Sequence, residues 1–120
     1  MVTIIDDDHV FREATSSFIR SLGFSAATFA SAEEFLQSGR VHDAACLISD
    51  VQMPGMSGFE LQDILIAKGE RLPIIFVTAF AEASARQHSL AAGALGFFDK
   101  LFSEEKMIFC LRQALGDTSV

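Results

Sequence analysis

The sequence predicts an α/β fold with one doubly wound, five-stranded parallel sheet in the order 2-1-3-4-5 and five helices on its two faces. Three observations lead to this prediction. Short apolar runs alternate with segments of helical periodicity along the 120 residues. The run from Leu72 to Thr78 is unbroken, as in a strand that is covered on both faces. The connections are short, and right-handed crossovers make this strand order the simplest one.

The first half of the chain gives two pairs of strand and helix. Val2 to Ile5 is a β-branched run that stops at three acids, and the helix after it ends at Gly23, which suits a left-handed last residue. Phe24 to Phe29 is predicted as the second strand. Ser31 stands three residues before Glu34, a capping pattern that starts the second helix. The inward positions of the first helix are Phe11, Ala14, Thr15, Phe18, Ile19 and Leu22.

The second half repeats the alternation three times. A central strand, Ala44 to Ile48, runs into Ser49 and Asp50, and a loop with proline and glycine separates it from the next helix. The alanine-rich helix near residue 87 has a weak apolar stripe, so we expect it to be the least firmly packed. The later elements are helix Phe59 to Lys68, strand Leu72 to Thr78, helix Glu82 to Ala92, strand Leu95 to Phe98, and a helix after Ser103 that contains Met107 to Leu115.

Length and composition bound what the chain can do. Half of its residues are apolar, and we expect one domain over residues 1–120, with the tail from Gly116 to Val120 as a natural end or the start of a linker. With 16 acidic and 9 basic residues and a net charge of -7, this segment is not expected to bind nucleic acid directly. No apolar run is long enough for a membrane span, and Cys46 and Cys110 lie in apolar patterns. A cytoplasmic protein with buried thiols is therefore expected.

Polar side chains follow four of the five predicted strands: Asp6 and Asp7, Asp50, Thr78, and Lys100. The carboxyl ends of parallel strands share one edge of a sheet, which is where ligands bind. Three carboxylates held close repel one another, and a divalent cation such as Mg²⁺ relieves that repulsion with oxygen ligands. Because Lys100 adds a compact positive charge, the set predicts phosphoryl chemistry with a carboxylate nucleophile. Asp50 is the first candidate for that nucleophile.

The same motifs resemble those of a known family. The acid pair after the first strand, the run DVQMPGMSG from Asp50, the segment Val77-Thr78-Ala79 and the lysine after the fifth strand are similar to the receiver domain of two-component response regulators. The four motifs occur in order over nearly the whole chain. The stretches SAEEFL and MPGMSGFELQ are most similar to the nitrogen-fixation and nitrate regulator group, in which a helix-turn-helix DNA-binding domain usually follows the receiver. No such output domain is present in this sequence.

This resemblance implies a flavodoxin-like fold and a role in a phosphorelay. Asp50 would accept a phosphoryl group from the phosphohistidine of a sensor histidine kinase or a phosphotransfer protein, with Mg²⁺ or Mn²⁺ as cofactor. Asp7 would bind the metal directly and Asp6 mainly through water. The backbone carbonyl of Gln52 would complete the protein ligands together with Asp50.

The resemblance also implies a conformational switch rather than an enzyme. Thr78 would swing to bond the phosphoryl oxygen, Lys100 would pair with it, and Phe97 would occupy the switch-aromatic position that moves inward with Thr78. The domain would assist its own phosphorylation and dephosphorylation and control an attached output, most simply transcription. Phosphorylation is expected to drive a homodimer through the last helices and the fifth strand. The residues expected to leave apolar surface there are Phe102, Phe109 and Cys110.

Leu101 departs from the family pattern, in which a proline with a cis peptide bond follows the lysine. A cis bond before any other residue costs about 3 kcal/mol. We therefore expect a trans bond between Lys100 and Leu101, an altered placement of Lys100, and a slower or weaker switch.

Two other functions stay open at this point. A degenerate receiver would bind a partner protein without being phosphorylated, and Leu101 is the residue that favours it. A flavodoxin-type electron carrier shares the sheet order, but three acids stand where its phosphate-binding loop would be and would repel phosphate. Incorporation of a phosphoryl group from acetyl phosphate discriminates the switch from the binding module, and bound yellow flavin would indicate the carrier.

Overall fold

The computed structural model describes residues 1–116, which form one parallel sheet with helices packed on both faces. The strands are β1 (Val2–Ile5), β2 (Ala26–Phe29), β3 (Cys46–Ser49), β4 (Ile74–Thr78) and β5 (Gly96–Asp99). The helices are α1 (His9–Ser21), α2 (Ala32–Gln37), α3 (Gly58–Ala67), α4 (Ala83–Ala91) and α5 (Glu104–Ala114). The sheet order is β2-β1-β3-β4-β5, which confirms the predicted fold class and strand order. Of the predicted tail, all but Gly116 lies outside the described residues.

The register of the sheet aligns the strand ends. Ile5, the last residue of β1, pairs with Ser49 at the end of β3, and Thr78 at the end of β4 pairs with Asp99 of β5. All pairs are parallel. The residues that follow these strands therefore leave the sheet at one edge, as the sequence predicts for its polar side chains.

Each face of the sheet has its own apolar core, because side chains alternate between faces along a strand. On one face, Ile5, Leu47 and Phe76 pack against α2 and α3 through residues such as Phe35 and Leu61. The other face packs against α1 and α5. Its buried members from the sheet and these helices include Val2, Ile4, Ile48, Ile75, Val77, Ile19, Met107 and Leu111.

The second core also contains Cys46 and Cys110, which are buried free thiols as predicted. Burial raises the pKa of the Cys46 thiol to about 12 and raises that of Cys110 as well. Both groups therefore stay protonated at neutral pH and behave as small apolar side chains.

Several element boundaries differ from the sequence prediction. β2 and β3 begin at Ala26 and Cys46, two residues later than predicted, because both pair with Val2 at the start of β1. β4 begins after Pro73, which has no N–H to donate to a neighbouring strand. β5 is shifted one residue toward the C-terminus, and a 3-10 turn at Val41–Asp43 was not predicted.

Helix caps fix how the chain leaves the sheet. Asp8 caps α1, and its carboxylate accepts hydrogen bonds from two backbone N–H groups in the first turn. The Ser31 hydroxyl caps α2 by accepting from the Glu34 N–H at 3.0 Å. A reciprocal capping box begins α3 instead, between Ser57 and Glu60. This capping box follows the loop that connects Asp50 to α3.

The α4 helix is the least embedded of the five. Ser89 is its only buried residue, and its N-cap residue Glu82 makes no side-chain capping bond. The weak apolar stripe in the sequence predicted this. Within residues 1–116, no helix combines the length and the apolar character needed to span a membrane.

Gly58 packs closely against the backbone of Asp50, the residue that follows β3. It is the first residue of α3, and its N–H donates to the Val51 carbonyl at 2.8 Å. A Cβ at this position would collide with the Asp50 carbonyl oxygen and would lie 2.9 Å from the Phe76 ring. The lack of a side chain at residue 58 therefore lets α3 pack directly under the residue that follows β3.

Gly58→Ala is expected to lower the free energy of unfolding by about 2 kcal/mol, because overpacking against backbone has little room to relax. Alanine favours a helix over glycine by about 1 kcal/mol, which is too little to reverse the sign. Urea unfolding measures the difference. Gly69→Ala is the control: its Cβ would meet open space, and only its φ of 74° opposes the change. A Gly58→Ala protein as stable as the wild type would contradict the expectation.

Candidate functional site

Three carboxylates gather at the carboxyl edge of the sheet. Asp6 and Asp7 follow β1, Asp50 follows β3, and one oxygen of each lies within 4.8 Å of the others. Asp6 and Asp50 are buried, whereas Asp7 is exposed to solvent. We call these three residues the acidic pocket. The structure thus brings together the acids that the sequence predicted to meet.

Lys100 enters this pocket from the end of β5. Its Nζ lies 3.1 Å from Asp6 Oδ2 and 3.2 Å from Asp50 Oδ2, so one ammonium bridges two carboxylates. Its backbone N–H donates to the Thr78 carbonyl at 3.0 Å, which ties the start of this loop to β4. One positive charge is thereby placed among three negative ones.

Asp50 is held by the loop that follows it. Its Oδ1 accepts a hydrogen bond from the Val51 N–H at 2.7 Å and a longer one from the Gln52 N–H at 3.4 Å. Its Oδ2 faces Lys100. The carboxylate is therefore oriented from both sides, and the side chain of Asp50 has little freedom to turn away from the pocket.

Asp6 is the most enclosed of the acids, with 1% of its surface exposed. Burial raises the pKa of its carboxyl above the ordinary value, although the Asp8 N–H at 2.8 Å and Lys100 act in the opposite direction. The nearby Asp50 charge raises the pKa further. The ionised form of Asp6 is thus less stable in the folded protein than in the unfolded chain.

The surroundings of Lys100 stabilise the charged form of its side chain. Burial lowers its pKa, but the hydrogen bonds and charges of Asp6 and Asp50 outweigh that effect, and the pKa lies above its ordinary value.

No peptide bond in residues 1–116 is cis, so the predicted trans bond before Leu101 is confirmed. Lys100 nevertheless reaches Asp50, which goes against the altered placement expected from the missing proline.

The remaining predicted residues lie where their motifs place them. Thr78 is buried at the end of β4, and its Oγ1 accepts a hydrogen bond from the Phe80 N–H at 3.3 Å. The Phe97 ring is already inside, with 3% of the residue exposed. Gln52 follows Asp50 by two residues and is exposed. The roles of its carbonyl as a ligand and of Phe97 as a switch stay predictions.

Three residues at the site were not predicted to belong to it. Glu33 on α2 accepts a hydrogen bond from the Met56 N–H at 3.1 Å and so fastens the loop after Asp50. Arg12 donates to the Asp6 carbonyl at 2.6 Å. The Phe11 ring lies under the Lys100 Nζ, 4.6 Å from the ring centroid. The periodicity of α1 indicated only that Phe11 faces inward.

The acidic pocket fits a divalent cation of the Mg²⁺ class. Its donors are carboxylate oxygens, which Mg²⁺ prefers, and they come from two strand ends close enough to share one ion. Three carboxylates meet one ammonium there, so the pocket carries negative charge that Lys100 alone does not compensate. A second positive charge at this place would relieve it.

Comparison with known proteins decides the family. A family model described as the response regulator receiver domain matches residues 2–112. The chain belongs to the response regulator receiver family. Receiver domains of response regulators are signalling modules that interact with histidine kinases and bind Mg²⁺ at an Asp cluster. The electron-carrier interpretation is thereby excluded.

The receiver has relatives among transcription regulators. It is 41% identical over 115 residues to the response regulator protein TodT of Pseudomonas putida, covering 96% of this chain and 51% of TodT. It is 34% identical to the transcriptional regulatory protein FixJ of Azorhizobium caulinodans, covering 96% of this chain and 54% of FixJ. The receiver thus spans about half the length of these relatives. The predicted similarity to the nitrogen-fixation group is supported in part.

Solved structures agree with this fold. The receiver superimposes on the response regulator StyR with a TM-score of 0.87 at 38% identity, covering 96% of this chain and 58% of StyR. It superimposes on FixJ-N with a TM-score of 0.85 at 28% identity, covering 99% of this chain and 95% of FixJ-N.

Asp6→Asn is expected to raise the melting temperature by a few degrees in EDTA at neutral pH, because it removes a buried charge that folding disfavours. A carboxyl with a raised pKa binds more protons in the folded state, so folded stability falls as the pH rises through that pKa. The advantage of the variant should therefore shrink as the pH is lowered. Thermal unfolding over a pH series measures it.

Asp7→Asn is the matched control, since Asp7 is exposed and its charge carries no comparable penalty. Without metal this variant should melt close to the wild type. Mg²⁺ should stabilise the wild type and should stabilise both variants less, because each lacks one oxygen anion of the acidic pocket. Equal metal-free melting temperatures for Asp6→Asn and the wild type would count against a disfavoured buried charge.

Proposed function

We propose that this receiver is a phosphorylation switch in which Asp50 takes a phosphoryl group from a histidine kinase or a phosphotransfer protein. The observation that carries the proposal is the Lys100 ammonium, which bridges Asp6 and Asp50 beside the buried Thr78. An oriented carboxylate, a fixed cation and a hydroxyl at one sheet edge are the parts that phosphoryl transfer to a carboxylate needs.

The step itself is a displacement at phosphorus. An oxygen of the Asp50 carboxylate attacks the phosphorus, the bond from phosphorus to the donor nitrogen breaks, and that nitrogen keeps the electron pair. Lys100 stays protonated and pairs with the phosphoryl oxygens, which carry the transferred negative charge. The Asp50 oxygen that already faces Lys100 is the one placed for this contact.

Asp6, Asp7, Asp50 and the Gln52 carbonyl would hold Mg²⁺ or Mn²⁺. When bound, the ion supplies positive charge that neutralises the phosphoryl oxygens. The residues do the positioning: Asp7 lies at the open side of the pocket, and the buried Asp6 is tied down through its hydrogen bonds to Asp8 and Lys100. The domain would assist its own phosphorylation and dephosphorylation in this way.

The response to phosphorylation would start at Thr78. Its Oγ1 accepts from the Phe80 N–H, so a swing toward a phosphoryl group breaks that bond and loosens the segment between β4 and α4. Phe97, whose carbonyl accepts from Arg86 of α4 at 3.3 Å, would respond with it. New bonds to the phosphoryl group would shift the population of a two-state loop and helix arrangement.

The output would be transcription, through a further domain in the full-length protein. Transcription is supported by FixJ, a transcriptional regulatory protein, and a further domain by the lengths of TodT and FixJ, of which the chain covers about half. Phosphotransfer from a kinase that uses ATP would take place in the cytoplasm. A degenerate receiver that only binds proteins is the competing function, and the contact of Lys100 with Asp50 argues against it because it keeps a cation beside the proposed acceptor.

Incubation with acetyl phosphate and Mg²⁺ is expected to add one phosphoryl group to the wild type and none to Asp50→Asn. Intact-mass spectrometry measures the incorporation. Because Asn keeps the size of Asp but lacks the nucleophilic oxygen anion, this variant is the matched control. EDTA should abolish the incorporation.

No incorporation into either protein would favour the binding module, and equal incorporation into both would place the acceptor elsewhere.

A dimer interface would pass on the change caused by phosphorylation. The side of the domain formed by α4, β5 and α5 exposes apolar residues: Phe109 is 65% exposed, Leu90 40% and Leu95 37%. The sequence also placed Cys110 on this surface, which is wrong, because the residue is 6% exposed. Its side chain belongs to the buried core on the α1 and α5 side of the sheet, together with Met107 and Leu111.

Phosphorylation is expected to produce a concentration-dependent dimer, and Phe109→Ser should weaken it at least several-fold, since it removes the most exposed ring of that face. Sedimentation equilibrium with and without acetyl phosphate measures the association. Val10→Ser is the control, because Val10 is 76% exposed on α1 and belongs to none of α4, β5 and α5. A monomer under both conditions would contradict the prediction.

A further inference from the structure

Lys100 has a third neighbour besides the two carboxylates. Its Nζ lies 4.6 Å from the centroid of the Phe11 ring and over its face. An aromatic face carries partial negative charge and attracts an ammonium, most strongly where water is excluded. The Lys100 side chain is 18% exposed, so this contact is largely shielded from solvent.

The backbone of Phe11 is linked by hydrogen bonds through Asp8 to Asp6, one of the acids of the pocket. Phe11 lies in the first turn of α1, and its N–H donates to the capping carboxylate of Asp8 at 3.3 Å. The Asp8 N–H donates in turn to Asp6 Oδ1 at 2.8 Å. Arg12, the next residue, donates to the Asp6 carbonyl. The backbone that carries the Phe11 ring is therefore tied to Asp6 of the acidic pocket.

We propose that Phe11 is a positioning residue for phosphoryl transfer, and that the face of its ring holds the Lys100 ammonium where it meets the phosphoryl group. This inference rests on the proposed function of Asp50. It adds a residue that acts through Lys100 and touches neither the metal nor the phosphoryl group.

Lys100 needs such a support because its own loop gives little. A lysine side chain has four flexible methylene groups and loses considerable rotamer freedom when it is fixed. The residue after it, Leu101, is 93% exposed and therefore packs against almost nothing. The backbone bond from the Lys100 N–H to the Thr78 carbonyl fixes only the start of the side chain.

The ring is also the one of the three contacts that the reaction leaves unchanged. Asp50 loses an anionic oxygen when it is phosphorylated, and Asp6 would share its charge with a bound metal ion. Both carboxylates therefore weaken as partners of Lys100 during the cycle. Phe11 keeps the same charge distribution throughout, so it can hold the ammonium before and after transfer.

The competing interpretation is that Phe11 serves only as a core side chain. It does pack at the edge of the core on the α1 and α5 side, together with residues such as Phe18 and Phe102. Apolar packing depends on the shape of the ring, whereas attraction to an ammonium depends on the electron density of its face. Ring fluorination withdraws that density and changes the shape little, so it separates the two.

The test replaces Phe11 by monofluoro-, difluoro- and trifluorophenylalanine through site-specific incorporation. The rate constant of phosphorylation by acetyl phosphate and Mg²⁺, measured by intact mass, should fall stepwise with fluorine number, by about five-fold for the trifluoro form. Phe11→Leu, which removes the face altogether, should be at least as slow. Thermal unfolding of each protein checks that stability is kept along the series.

The matched control is the same fluorination at Phe18, which lies on the same helix and packs against Phe102 with ring centroids 6.2 Å apart. Its rate should stay within about two-fold of the wild type. Equal rates along the Phe11 series, or an equal fall at Phe18, would overturn the inference. A wild type that takes up no phosphoryl group would instead overturn the proposed function, so the two failures are distinguishable.

Discussion

The structure of the site depends on one ammonium placed between two buried carboxylates. Removing three charges from water costs several kcal/mol for each ion, and the attraction of Lys100 to Asp6 and Asp50 offsets only part of that cost. The pKa of Asp6 stays raised because burial outweighs the contact with Lys100. With three carboxylates and one ammonium, the acidic pocket carries an excess of negative charge. That excess favours a divalent cation there.

Short-range devices hold these charges in position. Asp6 accepts a hydrogen bond from the Asp8 N–H, and the Asp8 side chain caps α1. The first turn of that helix is therefore linked to the pocket through two carboxylates. On the other side, Gly58 lets α3 approach the Asp50 carbonyl, and a capping box fixes the start of α3. Rigid strand ends and helix starts thus hold the oxygens of the acidic pocket in position.

The segment from Thr78 through α4, in contrast, is held loosely. The Thr78 hydroxyl holds the segment by a single bond to Phe80, and α4 buries only Ser89. Regions with few buried contacts open at low free energy and are the ones that move in switches. The domain therefore combines a firmly held acidic pocket at the ends of β1 and β3 with a loosely held segment after β4, and Lys100 and Thr78 connect the two through one backbone hydrogen bond.

The sequence by itself determined the five strands, their order, and the convergence of Asp6, Asp7, Asp50, Thr78 and Lys100, because period and strand polarity alone place residues at a sheet edge. Strand starts at Ala26 and Cys46 needed the sheet, since pairing with Val2 sets them. Tertiary structure also decided that Lys100 reaches Asp50 over a trans bond, that Glu33 fastens the loop at Met56, and that Phe11 faces the ammonium. These contacts join residues far apart in the chain, and their geometry follows from helix docking and side-chain rotamers, which no local pattern encodes.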